Sequence, residues 1–220
     1  MQNNKATIKA WAMFDWSNSA YNLVITSTIF PAYYTIITTT EQNGDKVTFF
    51  GTEFTNTALS NYALSVAYLI MALILPVLSS IADFRGNKKV FMKAFTYLGS
   101  FACAGLFFFK LETLELGIIC FTLAAMGFIG GSMFNNSYLP EIASVDQQDK
   151  VSAKGFAYGY VGSVLLQIIC FVFVLKPELF GITDPSLPAR LSFLLVGIWW
   201  ISFSQITFKK LPAGSPNYNK

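Results

Sequence analysis

The 220-residue sequence contains no histidine and only three cysteines. Histidine is the commonest general base and, with cysteine, the usual ligand of zinc, so neither an enzyme nor a metal site is indicated. Paired carboxylates at one depth of the chain are also missing, and we expect no cofactor. The cysteines lie singly in apolar stretches and are expected to be small packing residues. They are Cys103, Cys120 and Cys170.

Charged residues are also scarce. They form 12% of the chain, against about 25% in soluble domains, while 54% of the residues are hydrophobic. The mean hydropathy is +0.50. The net charge is only +3, and the cations lie beside apolar runs without forming a basic face, so no nucleic-acid partner is expected. This composition predicts an integral protein of the lipid bilayer.

Six apolar runs each reach or exceed the about 20 residues that a helix needs to cross a hydrocarbon core of about 30 Å. The sequence therefore predicts an all-α membrane protein with six transmembrane helices. Residues 1–210 are expected to form one bundle, and residues 211–220 the start of a cytoplasmic linker. The runs cover residues 11–38, 58–82, 90–109, 114–139, 152–175 and 187–208.

Lysine and arginine predict the orientation of the bundle. Six spans place both termini on one side, and eleven of the fifteen cations then fall on that side, so both termini are expected to be cytoplasmic. The polar stretch 41–57 becomes an outer loop. The eleven are Lys5, Lys9, Arg85, Lys88, Lys89, Lys93, Lys150, Lys154, Lys209, Lys210 and Lys220, and the other four are Lys46, Lys110, Lys176 and Arg190.

The first span carries a polar stripe. Asp15, Asn18, Ser19 and Asn22 recur at helical spacing, on one face of the predicted helix. An acid at mid-bilayer costs about 2.5–3.5 kcal/mol on insertion scales, so the stripe is expected to face protein or a water-filled cavity. Asp15 is the group best placed to meet a cation or an ammonium group. Alternatively, it is simply solvated near the interface or caps the helix.

The fourth span changes along its length from small residues to polar ones. Gly127 and Gly131 predict close helix packing. The polar residues that follow are expected at nearly the same depth as the stripe on the first span, so the two helices would share a polar chamber. The predicted substrate-binding residues are Asp15, Asn18, Asn22, Asn135, Asn136 and Tyr138.

The loop over residues 79–89 joins the second and third runs and contains one acid, one glycine and three cations. Gly86 permits a tight reversal of the chain. We expect Asp83 to interact with cytoplasmic helix ends, and Arg85 and Lys88 to bind lipid phosphate or a neighbouring carboxylate. These four residues form a predicted conformational loop. Alternatively, the loop is a charged turn that serves only to set the topology.

This loop resembles the signature G-x-x-x-D-[RK]-x-G-R-[RK] that lies between spans two and three of the major facilitator superfamily. The segments 11–21, 30–31, 139–143 and 152–160 are similar to the branch that contains the fungal vacuolar amino-acid effluxers linked to autophagy and their bacterial relatives. Within the loop, Asp83, Gly86 and Lys88 match the signature, and Ser79, Phe84 and Asn87 depart from it.

The resemblance implies the N-terminal half of a secondary transporter, made of two inverted three-helix repeats, with spans one and four lining the substrate path. It implies a second six-helix half or a homodimer partner, a small polar solute such as an amino acid, and the inner membrane of a bacterium. The competing interpretation is a truncated or split membrane protein that does not transport, and that pairs with a separate half or acts as a scaffold.

Overall fold

The computed structural model describes residues 2–41 and 43–213, and most of them are helical. Short 3₁₀ turns connect several of the helices. The helices are α1 (Lys5–Ala20), α2 (Phe30–Thr38), α3 (Asn56–Arg85), α4 (Lys88–Gly105), α5 (Leu114–Asn136), α6 (Leu139–Ile142), α7 (Gln148–Leu175) and α8 (Leu187–Lys210), and the strands are β1 (Lys46–Phe49) and β2 (Thr52–Thr55).

Within residues 2–41 and 43–213, five helical segments are long and apolar enough to cross a membrane, as expected for a helical membrane protein. They coincide with the second to sixth predicted runs. The first predicted run lies in the helical segment 5–38, where a π-helix, Tyr21–Ile29, joins α1 to α2. The five are Asn56–Arg85, Lys88–Phe108, Leu111–Ile142, Val145–Leu175 and Leu187–Lys210.

The π-helix was not predicted from the sequence. Within it, the hydroxyls of Ser27 and Thr28 donate to the carbonyls of Asn22 and Leu23, at 2.9 and 2.7 Å. Each of these side-chain bonds spans five residues, which is also the spacing of the backbone hydrogen bonds in a π-helix. Pro31 follows at the start of α2 and has no N–H to donate to the preceding turn. The departure from α-helical geometry thus lies immediately before the proline.

The long helices pack in a regular pattern. Helix α1 packs on α7 and α8, while α5 packs on α3 and α4, and α4 also packs on α8. The pattern is unchanged when α1 is exchanged with α5, α3 with α7 and α4 with α8. The two halves of the bundle therefore contact each other in equivalent ways.

Glycines set the distance between these helices. A Cβ atom on Gly127 of α5 would lie 2.5 Å from the backbone of Gly99 on α4 and 2.7 Å from the carbonyl oxygen of Phe95. The predicted packing role of Gly127 is therefore confirmed. A Cβ on Gly162 of α7 would lie 2.6 Å from the carbonyl oxygen of Trp16 on α1.

Both described ends of the chain lie at one end of the bundle. The N–H of Asn3 donates to the carbonyl of Ile142 at 2.7 Å, and the hydroxyl of Tyr138 donates to the carbonyl of Pro212 at 3.1 Å. We call this the termini end. Leu211 is buried there, while residues 214–220 of the predicted linker lie outside the described residues.

The opposite end carries an antiparallel hairpin of β1 and β2, and we call it the hairpin end. The strands pair Lys46 with Thr55 and Phe49 with Thr52. The segment 5–38 is about 50 Å long at 1.5 Å per residue, so the hairpin that follows it lies across the bundle from the termini. The hairpin is an addition to the predicted all-α architecture.

An alanine at Gly127 is expected to destabilise the bundle, because its Cβ would collide with backbone atoms that cannot turn away. The expected loss is about 1–3 kcal/mol, seen as a lower midpoint of thermal unfolding in detergent. Gly131→Ala is the matched control in the same helix, because its nearest neighbour is the ring tip of Phe14, at 3.1 Å. Equal midpoints for the two variants would contradict this account of the packing.

Candidate functional site

Two hydrogen bonds join α1 to α5, and one of them comes from the polar stripe. The side-chain amide of Asn18 donates to the hydroxyl of Ser132 at 2.7 Å, and the indole N–H of Trp11 donates to the carbonyl of Asn135 at 2.7 Å. Asn18 and Asn135 are both buried. The structure therefore joins the two helices that carry Asn18 and Asn135 and buries both residues.

The amides of these two asparagines are incompletely paired. Both polar atoms of the Asn135 side chain, and the carbonyl oxygen of the Asn18 side chain, are buried without a hydrogen-bond partner in the described chain. A buried polar group left unpaired costs about 1–3 kcal/mol. Such atoms are therefore candidate contacts for a polar ligand.

Asp15 lies one turn from Asn18 and is partly buried. Its carboxylate lies against α7 at Gly155, where an added Cβ would collide with Oδ2. Within residues 2–41 and 43–213 the carboxylate has neither a hydrogen bond nor an ion pair. The neighbouring cation on α7, Lys154, has its ammonium 5.9 Å from the ring centroid of Tyr158.

Asp15 does not cap α1. The N-cap is Asn4, whose side-chain oxygen accepts from the N–H groups of Ala6 and Thr7 at 2.9 and 3.1 Å. The alternative of a capping role for Asp15 is therefore wrong.

A cleft of about 350 Å³ opens between the first helical segment and α7. Asn22 is exposed on its wall, one turn beyond Ser19, and Ser163 faces it from α7. Beyond the cleft, the hydroxyl of Thr28 donates to the side-chain oxygen of Gln167 on α7 at 2.8 Å. The polar lining residues are Ser19, Asn22, Ser27, Tyr160 and Ser163, and the remaining ones are Leu23, Phe128, Phe156, Gly159 and Val164.

A larger cavity of about 600 Å³ lies at the hairpin end, and its lining is mainly apolar. Arg190 is buried beside it and donates to the carbonyl of Phe107, with Asp184 at 3.7 Å from the guanidinium. A hydrogen bond from Ser186 lowers the pKa of Asp184 below its usual value. This arrangement joins α8 to the end of α4 and is structural.

Tyr138 and Asn136 lie apart from the cleft. Tyr138 is fully buried, and its hydroxyl binds the carbonyl of Pro212. Asn136 is exposed. Helix α5 ends at Asn136, so the helical spacing that placed Tyr138 in line with Gly127 does not continue to it. The structure therefore does not bring Tyr138 into a shared chamber with Asn18.

The predicted conformational loop is joined to α6. Gly86 follows α3 in the left-handed conformation, with φ of 63°, and reverses the chain. The ammonium of Lys88 then lies 3.0 Å from a carboxylate oxygen of Asp83 and 2.7 Å from one of Glu141. Arg85 is exposed and has no ion pair in the described chain. The ammonium of Lys88 thus pairs with two carboxylates, one on α3 and one on α6.

Several residues that take part in these contacts were not among the site residues predicted from the sequence. Ser132 lies three residues before Asn135, so its position on the same helix face was a usable signal. Ser163 and Gln167 lie four residues apart on one face of α7, in line with Gly155 and Gly159, and this spacing makes Gln167 a candidate for a polar contact. Glu141 is far from Lys88 in the chain, and only the folded structure pairs them. Among the described residues no cluster of His, Cys, Asp and Glu could hold a metal ion.

Membrane-length helices with a polar cleft between them define a polytopic helical membrane protein. A family model described as "Vacuole effluxer Atg22 like" matches residues 3–219. The chain belongs to this family, which confirms the resemblance drawn from its motifs.

Among its relatives is the "Uncharacterized MFS-type transporter YxiO" of Bacillus subtilis, which is 31% identical over 196 residues. That match covers 89% of this chain and 44% of the relative. "Autophagy-related protein 22-2" of Aspergillus oryzae is 24% identical over 223 residues, covering 74% of this chain and 37% of the relative. The chain thus spans less than half the length of these relatives. No solved structure matches it.

Replacing Lys88 by methionine is expected to lower the free energy of unfolding by about 0.5–1 kcal/mol, because Asp83 and Glu141 lose their shared cation. Denaturant unfolding in detergent measures the change. The difference should shrink in about 1 M salt, where the Debye length is about 3 Å.

Arg85→Met removes a cation from the same loop without breaking an ion pair, and it should leave stability unchanged. If both variants lose the same stability, the Lys88 bridge has no specific role.

Proposed function

We propose that this chain is a six-helix half of a secondary transporter that moves a small polar solute, with amino acids as the first class to test, by alternating access. The observation that carries the proposal is a set of polar groups without protein partners, the carboxylate of Asp15 and atoms of the Asn18 and Asn135 amides, on the membrane helices next to the cleft. Holding such groups in a bilayer is costly, and solute binding is a function that accounts for the cost.

Six spans follow if the segment 5–38 crosses the membrane together with the five apolar helices. The placement of Asn3 and Pro212 at one end supports an even number of crossings. The exchange symmetry of helix packing supports two three-helix repeats, inverted because short connections make successive spans antiparallel. The cation distribution supports cytoplasmic termini. The relative from Bacillus subtilis supports the plasma (inner) membrane of a bacterium as the location.

Each of the polar groups on or near the cleft has a proposed role. Asp15 is assigned to a cationic group of the solute, such as an ammonium, because no side chain of the described chain neutralises it. Asn22 is assigned to a polar group of the solute, because it is exposed on the cleft wall. Asn18 and Asn135 lie deeper and would contact the solute when the helices move apart.

A second half would supply the other wall of the substrate path. The Bacillus relative is more than twice as long as its match to this chain, which supports a further unit of similar size. A second copy of this chain in that place would form a symmetric dimer. The Lys88 bridge would hold the termini end closed in one state and break in the other.

A second function remains consistent with the length of the match. A protein that pairs with another half or acts as a scaffold would share the fold without transporting. Such a protein would not need to bind a solute at Asp15. A measurement of solute binding at Asp15 therefore distinguishes a transporter half from a scaffold.

The test is a panel of the twenty amino acids against the purified chain in nanodiscs, read as binding by calorimetry and as the shift of thermal unfolding. We expect at least one amino acid to bind, and Asp15→Asn to weaken its affinity at least about tenfold, or about 1.4 kcal/mol. Asp149→Asn is the matched control, since it makes the same change at an exposed site at the start of α7.

Equal affinity of the wild type and Asp15→Asn for the amino acid would show that Asp15 is not part of the solute site. If no amino acid binds the wild-type chain at millimolar concentration, the amino-acid assignment is wrong and the scaffold function is favoured.

Vesicles that contain only this chain as a monomer are expected to show no solute-specific uptake, because rocking about a shared site needs two halves. Uptake of the bound amino acid, with cross-linking and native electrophoresis of the same vesicles, measures both properties. Robust uptake by a demonstrated monomer would contradict the half-transporter proposal.

A further inference from the structure

A row of side chains on α4 runs from the termini end toward the middle of the bundle. Lys89, Lys93, Tyr97 and Phe101 are spaced four residues apart, so they lie on one face of the helix. The ring of Phe101 is 66% exposed, and the ring centroids of Tyr97 and Phe101 are 6.5 Å apart. The row therefore passes from two ammonium groups, through a phenol, to an exposed apolar ring.

A lipid leaflet changes with depth in the same order. Phosphates lie in the headgroup layer, tyrosines favour the interface, and the acyl chains follow. The row covers twelve residues of helix, or about 18 Å at 1.5 Å per residue. One headgroup layer is about 5–8 Å thick, so the row is long enough to reach from the phosphates to the upper acyl chains.

Helix α8 lies beside this row. The ammonium of Lys93 is 5.6 Å from the ring centroid of Phe208, and the ring centroids of Phe208 and Tyr97 are 6.0 Å apart. Lys209 and Lys210 follow in the last turn of α8 and are exposed. Two adjoining helices therefore place four lysines at the termini end, and we call this surface the α4–α8 face.

The lysines of the α4–α8 face have no ion pair within residues 2–41 and 43–213. Asp83 and Glu141, the acids of the adjoining connections, are both paired with Lys88. Like charges one helical turn apart repel each other, as those of Lys89 and Lys93 do. An anion from outside the described chain would relieve this repulsion.

The packing of the helices decides which side of the bundle the α4–α8 face occupies. Helices α1, α5, α4 and α8 contact one another in a ring, while α3 adjoins α5 and α7 adjoins α1. The least buried membrane segments are those of α3 and α7, and the cleft lies at α7. A second half that closes the cleft and covers α3 and α7 therefore lies away from α4 and α8. The α4–α8 face is left to the lipid.

We propose that the α4–α8 face binds a phospholipid with an anionic headgroup, such as phosphatidylglycerol. The phosphate lies between the ammonium groups of Lys89 and Lys93, and the lysines at the end of α8 add to the positive potential. One acyl chain runs along Tyr97 and Phe101. This site rests on the membrane location of the chain and on the proposed place of the second half, and it is independent of any transported solute.

The test measures lipid binding by native mass spectrometry of the purified full chain. Phosphatidylglycerol and phosphatidylcholine with the same acyl chains compete at equal concentration. We expect the wild type to prefer phosphatidylglycerol at least about fivefold, and Lys89→Gln/Lys93→Gln to reduce this preference to about twofold or less, because two cations that attract the anionic headgroup are lost. Binding of phosphatidylcholine should be unchanged.

Lys150→Gln/Lys154→Gln is the matched control. It also removes two exposed lysines spaced four residues apart, at the start of α7. There, however, Asp149 precedes Lys150, and the carboxylate of Asp15 lies against Gly155, the residue after Lys154. These acids oppose the binding of an anion, so the control should keep the wild-type preference. Equal losses in the two double variants would show that only the net charge matters, and would overturn the proposal.

Two further measurements identify the ligand and its place. Inorganic phosphate at millimolar concentration should not displace phosphatidylglycerol, and displacement would overturn the assignment to a lipid. Phosphatidylglycerol with a photoactivatable group in its acyl chain should label α4 or α8, as read by peptide mapping. Labelling confined to α3 or α7 would overturn the assignment to this face. Wild-type elution on gel filtration verifies that each variant is folded.

Discussion

The hydrocarbon core of a bilayer offers no hydrogen-bond partners, and this constraint decides where the polar side chains of this chain lie. Asn18 binds Ser132, Thr28 binds Gln167, and the hydroxyls of Ser17 and Ser204 lie 2.9 Å apart. Each pair joins two helices. Some polar groups in the described chain remain unpaired, among them the side chains of Asn135 and Asp15.

Glycines allow these hydrogen bonds between helices to form. Side chains as short as serine and asparagine reach across a helix interface only when the backbones approach closely. Gly155 and Gly159 of α7 lie against Asp15 and Ser19 of α1, and Gly127 of α5 lies against Gly99 of α4. The same glycines that pack the bundle thus position the polar stripe beside the cleft.

The two ends of the bundle are held by charged groups. At the termini end, Lys88 connects Asp83 to Glu141, so one ion-pair cluster links the first and second halves of the bundle. At the hairpin end, the buried guanidinium of Arg190 is held by the carbonyl of Phe107 and by Asp184. The ends are therefore fixed by charges, and the middle by close packing and neutral hydrogen bonds.

The sequence by itself determined the membrane class, the positions of the apolar runs and the turn at Gly86, because these depend on composition, on length against bilayer thickness and on local backbone freedom. It also placed Asp15, Asn18 and Asn22 on one stripe, which is a local helical property. Only the tertiary structure decided that Asn18 binds Ser132 and that Lys88 pairs with Glu141. It also decided that Tyr138 binds the carbonyl of Pro212, apart from the cleft. These contacts depend on how helices that are apolar on most sides rotate and pack, and helical spacing does not encode that rotation.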